Sequence, residues 1–280
     1  MPFNSDQPGR IIAIVGSAPD AGTTMIAVSL AVALQQTTGE ATALVDLDIR
    51  SGNCHKHLSA SPIVQEEALA VSDESDVALA GAMVTHHSGL HLLCAATITR
   101  SKSTAPAPGR DVSQGNSVVA NALRSIRDAI EPKSPPSDFD IPRLEHMMNW
   151  LASRYRYLVF DIPAYTLPAA HSVLLQAGNV VVIGNLYDLA TIVEMRAVIA
   201  NIRKLPVARE KVKVILNRLT LQNRLPLAEI EQTLGCNIAA QIPNDSRLVP
   251  ESIRSGIPPV LSDPDAAVSL AIVQFATSIR

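Results

Sequence analysis

Residues 16–24 read Gly16-Ser17-Ala18-Pro19-Asp20-Ala21-Gly22-Thr23-Thr24, a run of small residues between two apolar stretches. Between a buried strand and a helix, such a loop turns main-chain N–H groups and a helix N-terminus toward one point, which is how proteins hold phosphate. Nucleotide-binding loops follow the form G-x-x-x-x-G-K-[ST], with lysine on the terminal phosphates and the hydroxyl on Mg²⁺. Gly22 stands at the closing glycine and Thr24 at the metal hydroxyl. Gly16, Ser17, Asp20, Ala21, Gly22 and Thr23 are therefore candidate phosphate neighbours, and the cofactor of such a loop would be ATP with Mg²⁺, bound weakly or not at all by this one.

The elements that would position this loop are legible as short apolar runs. Ile11 to Val15 is expected to be a buried strand and Thr23 to Gln36 a helix, with Ile26, Leu30, Ala33 and Leu34 on one face and Gly39 as its stop. Ala43 to Val45 is a second strand, delivering Asp46 and Asp48 at its carboxyl end. Further strands are expected at Leu90 to Leu93, Tyr157 to Phe160, Val180 to Ile183, Val212 to Leu216 and Ala239 to Ile242. Helices are expected at Ile141 to Arg154, Leu189 to Lys204, Leu227 to Leu234 and Ala266 to Ile279. Such alternation implies an α/β fold, a mostly parallel doubly wound sheet with helices on both faces. One domain is expected over 1–280, interrupted at 100–140 by an insertion rich in Pro, Ser, Ala and Gly. Within it, Val118 to Ile130 has helical spacing, suiting either a sheet-covering helix between tethers or a partner-docking helix.

With these residues in place, the chain resembles the MinD/ParA family of deviant P-loop ATPases, whose loop reads K-G-G-x-G-K-[ST]. Aligned on Gly22 and Thr24, the family's signature lysine falls at Ala18, its P-loop lysine at Thr23, and its two glycines at Pro19 and Asp20. Two cations are gone and a carboxylate has arrived. The resemblance extends to Leu44-Val45-Asp46-Leu47-Asp48, implying that Asp48 sits near the attacking water as the catalytic carboxylate. It extends to Tyr157-Leu158-Val159-Phe160-Asp161-Ile162-Pro163, implying that Asp161 joins Thr24 and Asp48 around Mg²⁺. Asn217, after its strand, and Pro243 in Ile242-Pro243-Asn244-Asp245 correspond to residues beside the adenine. A strand-end Asp also caps helices, so each motif has a purely structural alternative.

Within that family the chain looks most like the CpaE/TadZ-type pilus-assembly proteins. The features are Gly22-Thr23-Thr24, the segment Val45-Asp46-Leu47-Asp48-Ile49-Arg50-Ser51-Gly52, and the run from Ala239 to Pro259. That resemblance implies a homodimeric localisation or scaffolding factor for a pilus or secretion machine, cytoplasmic and recruited to a cell pole or inner-membrane machine. Phosphoryl transfer is catalysed mainly by positioning and charge stabilisation, so the missing lysines should damage hydrolysis more than binding. The loop is compatible with a turn that holds no nucleotide, with ATP binding and little turnover, or with competent hydrolysis; the second is the expectation carried forward. The alternatives are a ParA/MinD-like ATPase that partitions DNA or protein cargo, and an amide-forming synthetase of the same superfamily.

Composition limits the partners. The net charge is −3 and 47% of residues are hydrophobic, which suits one large core and gives no bulk attraction to DNA or anionic lipid. Arg196, Arg203, Lys204, Arg209, Lys211, Lys213, Arg218 and Arg224 make one half locally basic, but DNA is not an expected partner. Residues 1–9 lack an apolar signal core, and the longest apolar stretches fall short of the roughly 20 residues needed to cross a bilayer. Three scattered cysteines suit a reducing compartment. Cys54-His55-Lys56-His57 and the segment His86 to Cys94 hold soft ligands at no standard zinc spacing, and are expected to be solvated loops or strand packing.

Overall fold

The computed structural model describes residues 8–50, 52–61, 76–94, 140–185, 189–220 and 226–280. The insertion expected at 100–140, with its helix at 118–130, lies outside these residues except for Asp140.

The strands are β1 (Arg10–Gly16), β2 (Thr42–Asp46), β3 (Val84–Thr85), β4 (His91–Leu93), β5 (Tyr157–Ile162), β6 (Asn179–Asn185), β7 (Val212–Leu219) and β8 (Ile238–Pro243). They form one sheet in the order β3-β4-β2-β5-β1-β6-β7-β8. All neighbours are parallel except β3 and β4. The helices are α1 (Thr23–Thr38), α2 (Asp76–Ala82), α3 (Ile141–Ala152), α4 (His171–Gln176), α5 (Leu189–Ile202), α6 (Leu227–Leu234), α7 (Leu248–Ser255), α8 (Pro259–Ser262) and α9 (Ala267–Ser278).

Parallel strands in the middle of a sheet are covered on both faces, so they read as unbroken apolar runs. The pleat then divides their side chains between two cores. Ile11, Ala13 and Val15 of β1 join the core under α3, α4, α5 and α6. Ile12 and Ile14 join the opposite core under α1 and α9. Every residue of α1 from Met25 to Leu34 is buried, where the sequence suggested one apolar face. The helix is enclosed between the sheet and α9, and its Ala and Ser residues let both approach. Gly39 ends α1 at φ 68°, returning its N–H to the carbonyl of Gln35.

The structure corrects several boundaries. Asp161 and Asn217 lie inside β5 and β7, not beyond them. Strand β7 continues past Leu216, pairing Asn217 with Asn185 and Leu219 with Pro243 across an irregularity at which Arg218 takes φ 54°. Helices α2, α4, α7 and α8 are short, and tertiary packing rather than a long periodic pattern defines them.

The order places β1 at the centre. After β1 the chain crosses beyond β5 to form β2, and after β5 it returns past β1 to form β6. Ligands of open α/β sheets bind where the strand order reverses, outside the carboxyl ends. That crevice lies at the end of β1, where residues 16–24 begin.

Candidate functional site

One cavity of about 1050 Å³ opens at this edge. Ser17, Asp20, Ala21, Gly22, Thr23 and Thr24 line it from the loop, and Asp48, Asp161, Asn217 and Pro243 from the other strand ends. Of the candidate nucleotide and Mg²⁺ residues, Gly16 stands behind this wall. It is buried at the end of β1, and a Cβ there would lie 2.6 Å from the Thr23 hydroxyl oxygen.

The loop is shaped by two left-handed residues, Asp20 at φ 63° and Gly22 at φ 84°. Two buried asparagines hold it. Asn185 and Asn217 are register partners on β6 and β7. Asn185 Nδ2 donates to the carbonyl of Asp20 at 3.2 Å, and Asn217 Nδ2 to that of Ala21 at 2.8 Å. Gly22 is required beneath them, since a Cβ would stand 2.3 Å from Asn217 Nδ2. The N–H of Ser17 donates to the Ile183 carbonyl, and Pro19 has no N–H. The donors left for an anion are those at the N-terminus of α1, around Gly22, Thr23 and Thr24, which lack intrahelical acceptors.

Beside this terminus lies a buried acidic corner. The Thr24 hydroxyl donates to Asp161 Oδ2 at 2.7 Å, and the Cys54 thiol approaches the same oxygen at 3.5 Å. Asp46 accepts the N–H of Asp48 on Oδ1 at 2.9 Å and that of Cys54 on Oδ2 at 3.1 Å. Burial pushes both carboxyls up, Asp46 to about 6 and Asp161 to about 7, and their mutual repulsion adds to the rise at Asp161. Burial, then both carboxylates, push the Cys54 thiol up as well. Of residues 54–57 only Cys54 is buried, whereas His55 and His57 are half-buried and Lys56 is exposed; Asp46 ties down the backbone at Cys54.

Asp48 reaches the cavity itself. Its Oδ1 accepts the Tyr165 hydroxyl at 2.6 Å and the N–H of Arg50 at 3.1 Å, and the Arg50 guanidinium lies 4.2 Å from the centre of the Tyr165 ring. Burial, then the adjoining carboxylate, push the Tyr165 hydroxyl up. On the far side, Asp245 accepts the N–H groups of Arg247 and Leu248, so it caps α7. Val249, Pro250 and Ile253 of α7 complete an apolar wall next to Pro243.

Several residues of this cavity are not singled out as site residues by the sequence, although Arg50 lies in the segment Val45 to Gly52 and Arg218 in the locally basic half. Arg50, Arg218 and Arg254 line it from three separate segments. Asn185 and Tyr165 gave no pattern, although each follows a strand or lies within its end, where site residues of this architecture collect. Of the remaining soft ligands, His86 Nδ1 pairs with the Ser88 hydroxyl at 2.8 Å and His91 Nδ1 with the Tyr155 hydroxyl at 2.6 Å.

The family model described as the CobQ/CobB/MinD/ParA nucleotide binding domain matches residues 12–259. A search of curated proteins finds no match. Among solved structures, the chain is similar to a ParA family ATPase from Chlorobium tepidum TLS, at 20% identity and TM-score 0.70 over 96% of this chain and 98% of that one. It is similar to the septum site-determining protein MinD of Pyrococcus horikoshii OT3, solved with Mg-ADP, at 19% identity and TM-score 0.69 over 97% and 96%. It is also similar to a chain of the MinC:MinD cell division complex of Aquifex aeolicus, at 20% identity and TM-score 0.69 over 97% and 95%. At these identities the likeness is one of fold.

Proposed function

The chain belongs to the CobQ/CobB/MinD/ParA nucleotide-binding family, and from that premise we propose that it is a one-domain, CpaE/TadZ-like localisation or scaffolding factor that binds ATP·Mg²⁺ with little or no turnover. The observation that carries this reading is the loop itself. Ala18 and Thr23 stand where the family form has lysines, and Asp20 brings a carboxylate to the cavity wall. Charge neutralisation at the transferring phosphoryl group is most of what such a site does, so its loss removes turnover first. Binding survives on the N-terminus of α1, with Thr24, Asp48 and Asp161 around the metal and Asn217 and Pro243 toward the base side. Asp48 is the catalytic carboxylate for whatever hydrolysis remains.

In this reading the protein forms a homodimer whose contacts do not use a signature lysine, because Ala18 cannot reach a partner's phosphate. The dimer recruits a pilus or secretion assembly machine, in the cytoplasm or at a pole. Among the described residues no helix is long and apolar enough to cross a membrane; recruitment in this reading proceeds through protein contacts.

A second reading has its own support. Arg50, Arg218 and Arg254 line the cavity and can replace the lost lysines, which favours an active ParA/MinD-like ATPase partitioning DNA or protein cargo. Titration of the purified chain with ATP·Mg²⁺, with phosphate release followed in parallel, separates the two. Saturable binding without release supports the scaffold. Robust release, abolished by removing one of these arginines, supports the partitioning ATPase.

A further inference from the structure

Next to the nucleotide cavity, three ligand-bearing side chains converge from three chain segments. The ligand atoms of Asp46 at the end of β2, Cys54 eight residues later, and Asp161 in β5 all lie within 4.8 Å of one another. Each residue is essentially sealed: Cys54 is 0% exposed, and Asp46 and Asp161 are 1% exposed. Burying two acids and a thiol together is costly unless something compensates the charge. Hydrogen bonds do so only in part. Asp161 Oδ1 has no partner among the described residues. A cation is the compensation that the chemistry of the three groups selects.

We propose that Asp46, Cys54 and Asp161 form a site for a borderline-soft divalent cation of the zinc or cobalt class, with the Cys54 thiolate as one ligand. Sulfur decides the class. Carboxylates and hydroxyls alone suit Mg²⁺, whereas a thiolate selects ions such as Zn²⁺ and Co²⁺. The spacing agrees. Zinc–sulfur and zinc–oxygen bonds of about 2.3 and 2.0 Å at a tetrahedral angle place sulfur and oxygen about 3.5 Å apart, and Cys54 Sγ stands 3.5 Å from Asp161 Oδ2. Asp46 is oriented by the N–H groups of Asp48 and Cys54, one on each oxygen, and each oxygen keeps a lone pair for a metal. Thr24 on Asp161 fixes the other carboxylate. Binding displaces the thiol proton to solvent, and the entry route is the cavity that Asp161 lines. The fourth position is open to water.

No nucleotide is needed, so the test uses the nucleotide-free chain, and its failure leaves the nucleotide reading standing. The probe is Co²⁺. One equivalent per chain is expected to give a sulfur-to-cobalt charge-transfer band together with the intense visible bands of a four-coordinate ion. Cys54→Ser should abolish the sulfur band, Cys94→Ser and Cys236→Ser should keep it, and excess Mg²⁺ should not displace it. If Cys54→Ser does not fold, X-ray absorption of the zinc-loaded Cys94→Ser/Cys236→Ser chain decides: one sulfur at about 2.3 Å is expected. A first shell of oxygen and nitrogen only, a sulfur band that follows another cysteine, or absence of stoichiometric binding would overturn the proposal.

Discussion

The side-chain amide of Asn217 donates to the main-chain carbonyl of Ala21 at 2.8 Å, a bond that spans 196 positions of sequence. The asparagine is 1% exposed and stands beside Asn185 in the register of the sheet, whose own amide holds the carbonyl of Asp20. The phosphate loop is thus fastened from below by two adjacent strands. Its shape persists without lysines because the fastening never depended on them.

Removing the Asn217 amide leaves the Ala21 carbonyl without this donor. Asn217→Ala should cost about 1–3 kcal/mol, and should also loosen the loop. The expected outcome is a melting temperature lower by several degrees and weaker ATP·Mg²⁺ binding in calorimetry. An unchanged melting temperature would mean that the bond contributes nothing net.

Asp20 places a carboxylate on the wall of the proposed nucleotide site. It takes φ 63° and faces the cavity. Asp20→Gly relieves the left-handed conformation and removes a carboxylate near the phosphates. A stability gain of about 0.5–1 kcal/mol is expected, with nucleotide affinity raised at least about threefold. Chemical denaturation and nucleotide titration measure the two effects separately.

Restoring the missing cations tests the proposed loss of turnover directly. The double variant Ala18→Lys/Thr23→Lys should raise phosphate release about tenfold or more over the unaltered chain. Ala18 and Thr23 both line the cavity, so longer side chains at these positions can extend into it. A variant that binds ATP firmly yet still releases no phosphate would show that the block lies elsewhere.

The acidic corner predicts a pH dependence. Asp46 and Asp161 have carboxyls raised from 3.8 to about 6 and about 7 by burial, with the Asp48 carboxylate adding to the rise at Asp46 and the Asp46 carboxylate to that at Asp161. The folded chain therefore binds more protons than the unfolded chain between about pH 4 and pH 7, and stability falls as pH rises through that window. Urea midpoints measured with chelator present should be lower at pH 8 than at pH 5.5. Asp46→Asn should flatten the slope, because it removes one of the two coupled acids. A midpoint that rises with pH in the unaltered chain would contradict this.

The sequence by itself determined the architecture, because parallel strands buried on both faces must be apolar throughout. The runs 11–15, 157–160, 180–183 and 212–216 all proved to be strands. It also determined the loop, since small residues between strand and helix leave few other shapes, and Gly22 and Gly39 both stand at left-handed positions. Tertiary structure alone decided what surrounds that loop. Asn185 and Tyr165 belong to segments whose local patterns carry no message, and only the strand order β2-β5-β1-β6-β7 brings them together with Arg50 and Cys54. Local sequence sets backbone shape, but proximity between residues over a hundred positions apart depends on how a sheet is wound. The burial that moves the Asp161 carboxyl toward neutrality is a property of that winding and cannot be read from its neighbours in the chain.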